Sequence, residues 1–416
     1  MADGLANASP TRGSCTISLP IGEEEYGVVV NDPKRFRKWL TDSFALYPEL
    51  FPAGFAQGFQ MKDKRTPKKI PILLRRIVLG DGTAYTIGPS FLMPYATART
   101  SEVEHPLFLR KFGVPFWALA RVFGRDPMFW FRQECALGRN SLVGTTIRKA
   151  AVPEHLLADE HHQRRDGEKV YLATTVGAGC CLGVAVAESA GSDDLTAAYG
   201  VFREEARNVN PDYAPTTVNT DGWKATQAAW RALFPLIVVL CCYLHAWLKI
   251  RDRAKNLKET FYDLSTRVWD AYHAPDKRNF SQRLRQLSTW ARQHVSGIVL
   301  DAVLDLCAKK KLWLKSHDHP QGHRTSNMLD RLMRPMYRYF FDGQHLHGSG
   351  PTNELHVRGW ALLWNFTPWH PATAKTNAGW RSPAERLNQH RYHDNWLQNL
   401  LISASLGGYR TAPQKT

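Results

Sequence analysis

Three aspartates in this chain stand where a hard metal ion could be held. Asp159 interrupts the apolar start of EHLLADEHHQ, Asp221 ends the β-branched run TTVNTD, and Asp330 falls in the helical pattern TSNMLDRLMR. Mg²⁺ takes carboxylate oxygens in near-octahedral geometry, so acids carried on separate rigid elements suit metal-dependent phosphoryl transfer. A second apolar run after Asp221 ends in Cys241, Cys242 and His245. The C-x-x-H spacing of Cys242 and His245 invites a zinc reading, but a structural zinc site needs about four ligands and no matching second pair stands nearby. Packing is an equally good account of Cys242. Asp330 also has a plain alternative, because Arg334 lies one helical turn away and the two could form a surface ion pair. Pro335 in the same pattern predicts a kink or break.

The elements that would carry these acids follow in a telling order. A strand over 154–160, a hairpin over 169–188 turning at Gly177 to Gly179, a helix over 193–208 and a strand over 216–220 are the order of an RNase H-like core. Thr220-Asp221-Gly222, Phe234-Pro235, Cys242-x-x-His245 and Thr325-Ser326-Asn327 add four motifs. On these residues the stretch from about 155 to 345 resembles a DDE-type transposase, similar to the Mutator-like group and its bacterial insertion-sequence relatives.

The resemblance implies an α/β fold class: an RNase H-like catalytic core with an all-helical insertion, plus an N-terminal α+β and helix-turn-helix DNA-binding region. It implies a transposase that cleaves and transfers DNA strands at transposon ends, with Asp159, Asp221 and Asp330 as catalytic metal ligands; the alternatives are an RNase H-like DNA nuclease without strand transfer and a non-catalytic DNA-binding protein derived from a transposase. Two Mg²⁺ ions, replaceable by Mn²⁺, would be the cofactor. Cys242 and His245 would orient these ligands or touch DNA. The partners would be double-stranded transposon ends and target, bound by a homodimer or higher oligomer, in a prokaryotic, nucleoid-associated setting. The chain departs from the family pattern at two points. Asp330 stands where Glu is usual, with Glu354 as the alternative third ligand, and Asp159 is followed by Glu160 where Gly-Thr is common. Asp166 competes as first acid, although Asp166-Gly167 reads as turn chemistry.

Six segments follow from this reading: an α+β region over 1–112, a helix-turn-helix-like segment over 113–150, a core over 151–253, a helical insertion over 254–320, the rest of the core over 321–370, and a C-terminal helix and tail over 371–416. Residues 1–20 read as a small-residue tail. Lys62, Lys64, Arg65, Lys68 and Lys69 form a basic approach to a β-hairpin turned at Asp81 and Gly82, and serve either as a solvated cluster or as phosphate contacts. In 113–148 two helices join at Gly124 to Pro127, with Arg132, Arg139 and Arg148 as candidate DNA contacts. Trp269, Trp290 and Trp313 in the insertion could stack on an unpaired base, although core packing is the commoner fate. Ser382, Pro383 and Glu385 open a C-terminal helix running through HRYHDNWLQNLL.

Composition agrees with an anionic partner. The 416 residues carry a formal net charge of +16, and 44% apolar residues are enough for sizeable cores. Seven cysteines with two adjacent pairs do not make a disulfide framework, which favours a reducing cytoplasm. The N-terminal stretch has no signal-peptide pattern. Pro235 and His245 interrupt the single membrane-span candidate, ALFPLIVVLCCYLHAWL, so no membrane is expected.

Overall fold

Residues 14–149 and 151–409 are described by a computed structural model. Residues 14–20 are part of the fold, not of a tail, because alternation buries Ile17 and Leu19 in β1 (Thr16–Leu19). The expected tail residues 1–13 lie outside the described residues. Two helices follow, α1 (Glu23–Asn31) and α2 (Pro33–Leu46). Asp32 caps α2 by accepting from the N–H groups of Lys34 and Arg35, and Phe36 and Leu40 bury its inner face. The basic approach is itself an edge strand, β2 (Phe59–Arg65), and β3 (Leu74–Leu79) and β4 (Ala84–Pro89) form the expected hairpin. These strands make a mixed sheet in the order β1-β4-β3-β2, with β1 parallel to β4.

Next come α3 (Thr100–Arg110), α4 (Phe116–Phe123), α5 (Pro127–Leu137) and α6 (Leu142–Thr146). Gly124, at φ 73°, ends α4, and Asp126 caps α5 through the N–H of Met128.

The second sheet begins with β5 (His155–Arg165), β6 (Glu168–Gly177) and β7 (Cys180–Ala187). β5 continues past the expected 160 until Asp166 and Gly167 turn the chain with φ of 49° and 92°, so Asp166 is a turn residue. Then follow α7 (Ser192–Val209), β8 (Thr217–Thr220), α8 (Lys224–Leu233), β9 (Val238–Cys241) and α9 (Tyr243–Arg253). The order is β7-β6-β5-β8-β9, with β6 and β7 antiparallel and β5, β8 and β9 parallel. The apolar run from Ala232 is thus split between α8, β9 and α9. Among the described residues no helix is long and apolar enough to cross a membrane.

Four helices fill the stretch expected to be helical: α10 (Glu259–Tyr272), α11 (Lys277–His294), α12 (Gly297–Ala308) and α13 (Lys310–Asp318). Leu264, Val268, Phe280, Leu284 and Val303 bury their inner faces together. Trp290 and Trp313 belong to this core and Trp269 packs at its edge, so these rings are committed to packing. The helix α14 (Asn327–Asp342) runs through Pro335 without the expected break. The chain ends with α15 (Gly350–Phe366), α16 (Pro371–Thr376), α17 (Pro383–Asn388) and α18 (Trp396–Ser403). The C-terminal helix expected from Ser382 is two helices, because Gln389 turns left-handed at φ 49° and ends α17.

Two compact units result. The first holds residues through Val152, Glu160–Tyr213 and Leu332 onward, and the second holds Pro153–Asp159 and Ala214–Arg331. In the first, Arg110 meets buried Glu134 at 2.9 Å, and its guanidinium lies 3.8 Å from the ring centre of Phe116 and 4.3 Å from that of Tyr339.

Candidate active site

Asp159, Asp221 and Asp330 all belong to the second unit. Register aligns the first two. Leu157 pairs with Asn219, and Thr220 pairs with Cys241. Carried on at the same offsets, Asp159, Asp221 and Cys242 fall in one row across three parallel strands, with neighbouring strands about 4.8 Å apart. Period-2 alternation turns Glu160 to the opposite face, where it accepts from the hydroxyl of Tyr199 at 2.7 Å. Asp159 is half-buried, whereas Asp221 is exposed and accepts from the N–H of Trp223 at 2.8 Å.

Asp330 reaches this row through the loop before α14. The amide of Asn219 donates to the carbonyl of His323 at 2.8 Å, and the N–H of Tyr243 donates to that of Arg324 at 3.1 Å. Gly322 lies so close that an added Cβ would stand 2.9 Å from Leu240. Ser326 then opens α14: its carbonyl accepts from the N–H of Asp330, and its hydroxyl donates to the Asp330 carboxylate, both at 2.9 Å. The N–H of Ser326 also points at Cys242 Sγ, 3.2 Å away. Among the described residues Asp330 makes no ion pair with Arg334.

Electrostatics bind the group together. The imidazole of His245 is pulled up to about 9, first by its hydrogen bond to Cys242, which outweighs burial, and then by the charges of Cys242, Asp159 and Asp330. Burial opposes ionisation of Cys242, yet the hydrogen bonds from His245 and Ser326 prevail and hold its thiol below the ordinary value. The structure therefore brings Asp159, Asp330 and Cys242 into the neighbourhood of His245. Asp221 stands beside Cys241, whose thiol is raised by burial and also by that carboxylate. Among the described residues no three His, Cys, Asp or Glu side chains are grouped closely enough to hold one metal ion.

No protein-family model and no curated protein matches this chain.

The remaining candidates are spread over the first unit. Lys62, Lys64 and Arg65 are exposed on β2, and Lys68 and Lys69 are exposed beyond it. Arg132 is exposed on α5, while Arg139 lies over the ring of Tyr95. Arg148 is engaged within the protein, donating to Glu49 at 2.8 Å. Glu354 sits in the first turns of α15, where burial raises its carboxyl and the N–H of Val186 donates to it at 3.0 Å. Cys180 and Cys181 are buried in β7, and burial pushes the Cys181 thiol up to about 12.

Sequence reasoning missed two polar residues. Ser326 stands in the Thr325-Ser326-Asn327 motif, but nothing in the sequence pairs it with Asp330 or Cys242. Asn219 has a buried Oδ1 with no hydrogen-bond partner among the described residues, and it shares a strand face with Asp221. Their two-residue spacing was the available signal.

Proposed function

We propose that this chain is a metal-dependent DNA strand-transfer enzyme of the DDE transposase type, with Asp159, Asp221 and Asp330 as its acids. The observation that carries the reading is the parallel register of β5 and β8, which carried on by two residues sets Asp159 opposite Asp221, with Asp159 and Asp330 both acting on His245. The strand order, three antiparallel strands followed by two parallel ones, supports an RNase H-like core, and the four helices α10 to α13 stand where an insertion would.

By donor type three hard carboxylates and the unpartnered oxygen of Asn219 suit Mg²⁺, although among the described residues no three acids are gathered around one ion position. Asp159, Asp221 and Asp330 would hold the metal ions, which when bound lower the pKa of an attacking water or 3′-hydroxyl and stabilise the leaving oxygen. Ser326 holds the Asp330 carboxylate in one rotamer. His245, whose imidazole is pulled up by Cys242, Asp159 and Asp330, favours the positive charge that would offset the repulsion of Asp159 and Asp330 before metal arrives. Lys62, Lys64, Arg65, Lys68, Lys69 and Arg132 supply exposed positive charge for the DNA backbone. The pairing of α4 and α5 across Gly124 supports a helix-turn-helix contact to DNA.

The test incubates the protein with Mg²⁺, a linear fragment carrying its element's ends and a supercoiled target. Joined products are expected. Cut products alone would reduce the activity to a nuclease, and intact DNA throughout would overturn the catalytic reading.

A further inference from the structure

A cavity of about 1240 Å³ lies wholly within the first unit, between the β1 and β4 side of its sheet, the end of α5 and the start of α15. None of the three acids lines it. Its lining carries Arg65 at the end of β2, Lys68 just after it, and Arg139 just after α5, besides Arg358, which is buried and paired with Glu205, and Glu188, which is paired with Arg165. The guanidinium of Arg139 stands 5.7 Å from the ring centre of Tyr95, and that residue is 76% exposed.

Tyr95 is presented by a strained backbone. Tyr95 and Ala96 both take left-handed conformations, with φ of 60° and 48°. Each such residue costs roughly 1–2 kcal/mol, and strain of this kind is concentrated at ligand clamps and active sites. Against this aromatic and cationic mouth, Glu354 contributes a carboxylate to the lining, held on one side by the N–H of Val186, with Leu355 beside it. An exposed ring, three cations and an enclosed acceptor match the parts of a nucleotide: a flat base, a phosphate and a base edge with an amino donor. The volume exceeds the roughly 300–1,000 Å³ that suits a drug-sized ligand, so more than one nucleotide has room.

We propose that this cavity binds an unpaired DNA strand end, with a base stacked on Tyr95, phosphate on Arg65, Lys68 and Arg139, and the amino edge of the enclosed base donating to Glu354. The choice of a DNA end over a free nucleotide rests on the strand-transfer reading above; the cavity chemistry does not.

Fluorescence anisotropy in EDTA, where no strand is cut, tests this apart from catalysis. The probes are a blunt duplex, the same duplex with a short 3′ overhang of dC or of dT, and free dCMP as competitor. The overhang should bind more tightly than the blunt end. Tyr95→Ala should lose about tenfold on the overhang, the effect of one base–aromatic stack, and nothing on the blunt duplex, while Tyr95→Phe keeps the affinity. The dC overhang should be preferred to dT, whose edge lacks the amino group, and Glu354→Gln should level the two. Free dCMP competing as well as the overhang would overturn the DNA-end assignment in favour of a free nucleotide. Equal binding of blunt and overhanging DNA by the wild type and by Tyr95→Ala would overturn the site altogether.

Discussion

Ser326 joins two motifs that look unrelated in the chain, because its N–H meets Cys242 and its hydroxyl meets Asp330. Ser326→Ala removes the bond that fixes the Asp330 rotamer. It should lower stability by about 1 kcal/mol and raise the Mg²⁺ concentration needed for cleavage; an unchanged metal requirement would make the bond purely structural. Asp221 is the reverse case, an exposed acid with one local hydrogen bond. Asp221→Ala should therefore lose cleavage by orders of magnitude while the melting temperature stays within a degree or two, since surface changes shift stability by less than about 0.5 kcal/mol. Cleavage at the wild-type rate would remove Asp221 from the site. Under the proposed mechanism Asp330→Asn should lose cleavage and Asp330→Glu should retain a measurable part, because the longer acid keeps the donor chemistry. Activity in Asp330→Asn equal to that in Asp330→Glu would mean that charge at this position is not used.

At the scale of elements, the first unit depends on an ion pair between helices. Arg110 on α3 meets Glu134 on α5, the hydroxyl of Tyr339 on α14 donates to the same carboxylate, and His356 on α15 lies within 3.4 Å of it. Burial alone would raise the Glu134 carboxyl, but the charge of Arg110 and the hydrogen bonds from His356 and Tyr339 prevail and hold it at about 2. A folded-state value below the unfolded one, near 4.3, means that this group's stabilisation is present above that unfolded value and lost as pH falls towards about 2. Urea midpoints taken from about pH 5 down to about pH 2 should fall more steeply for the wild type than for Glu134→Gln; parallel curves would show that this carboxylate does not titrate with unfolding. At neutral pH, Glu134→Ala leaves Arg110 buried without its partner and should cost about 3–5 kcal/mol. The same scale shows why two boundaries differ from expectation. Pro335 removes a single N–H and α14 tolerates that, whereas Gln389, with no breaker signature in its type, ends a helix by turning left-handed.

For the whole molecule, the formal net charge of +16 favours association with an anionic partner. If that partner is DNA, log affinity should fall almost linearly with log salt between 50 and 200 mM, losing roughly 10³–10⁵ for about 6–10 neutralised phosphates. A flat response would assign the charge elsewhere. Much of the layout was legible because it rests on local rules: alternation placed β5 and β8, paired turn residues closed both hairpins, and helical periodicity filled 259–318 with helices. Asp159 and Asp221 stood out as single acids ending apolar runs. What local rules could not decide was partnership. Asp330 is one turn from Arg334 in sequence yet bonds to Ser326, which in turn meets Cys242 across 84 residues. Arg148 reads as a free cation and is held by Glu49, 99 residues away. The tail before Leu19 becomes a strand only because β4 offers a parallel edge. Sequence by itself determined most of the helices and strands of the second sheet and of 259–318, since those preferences act over a few residues. Only the tertiary structure decided which side chains meet, because that depends on the register of β5, β8 and β9, set by packing between segments dozens of residues apart.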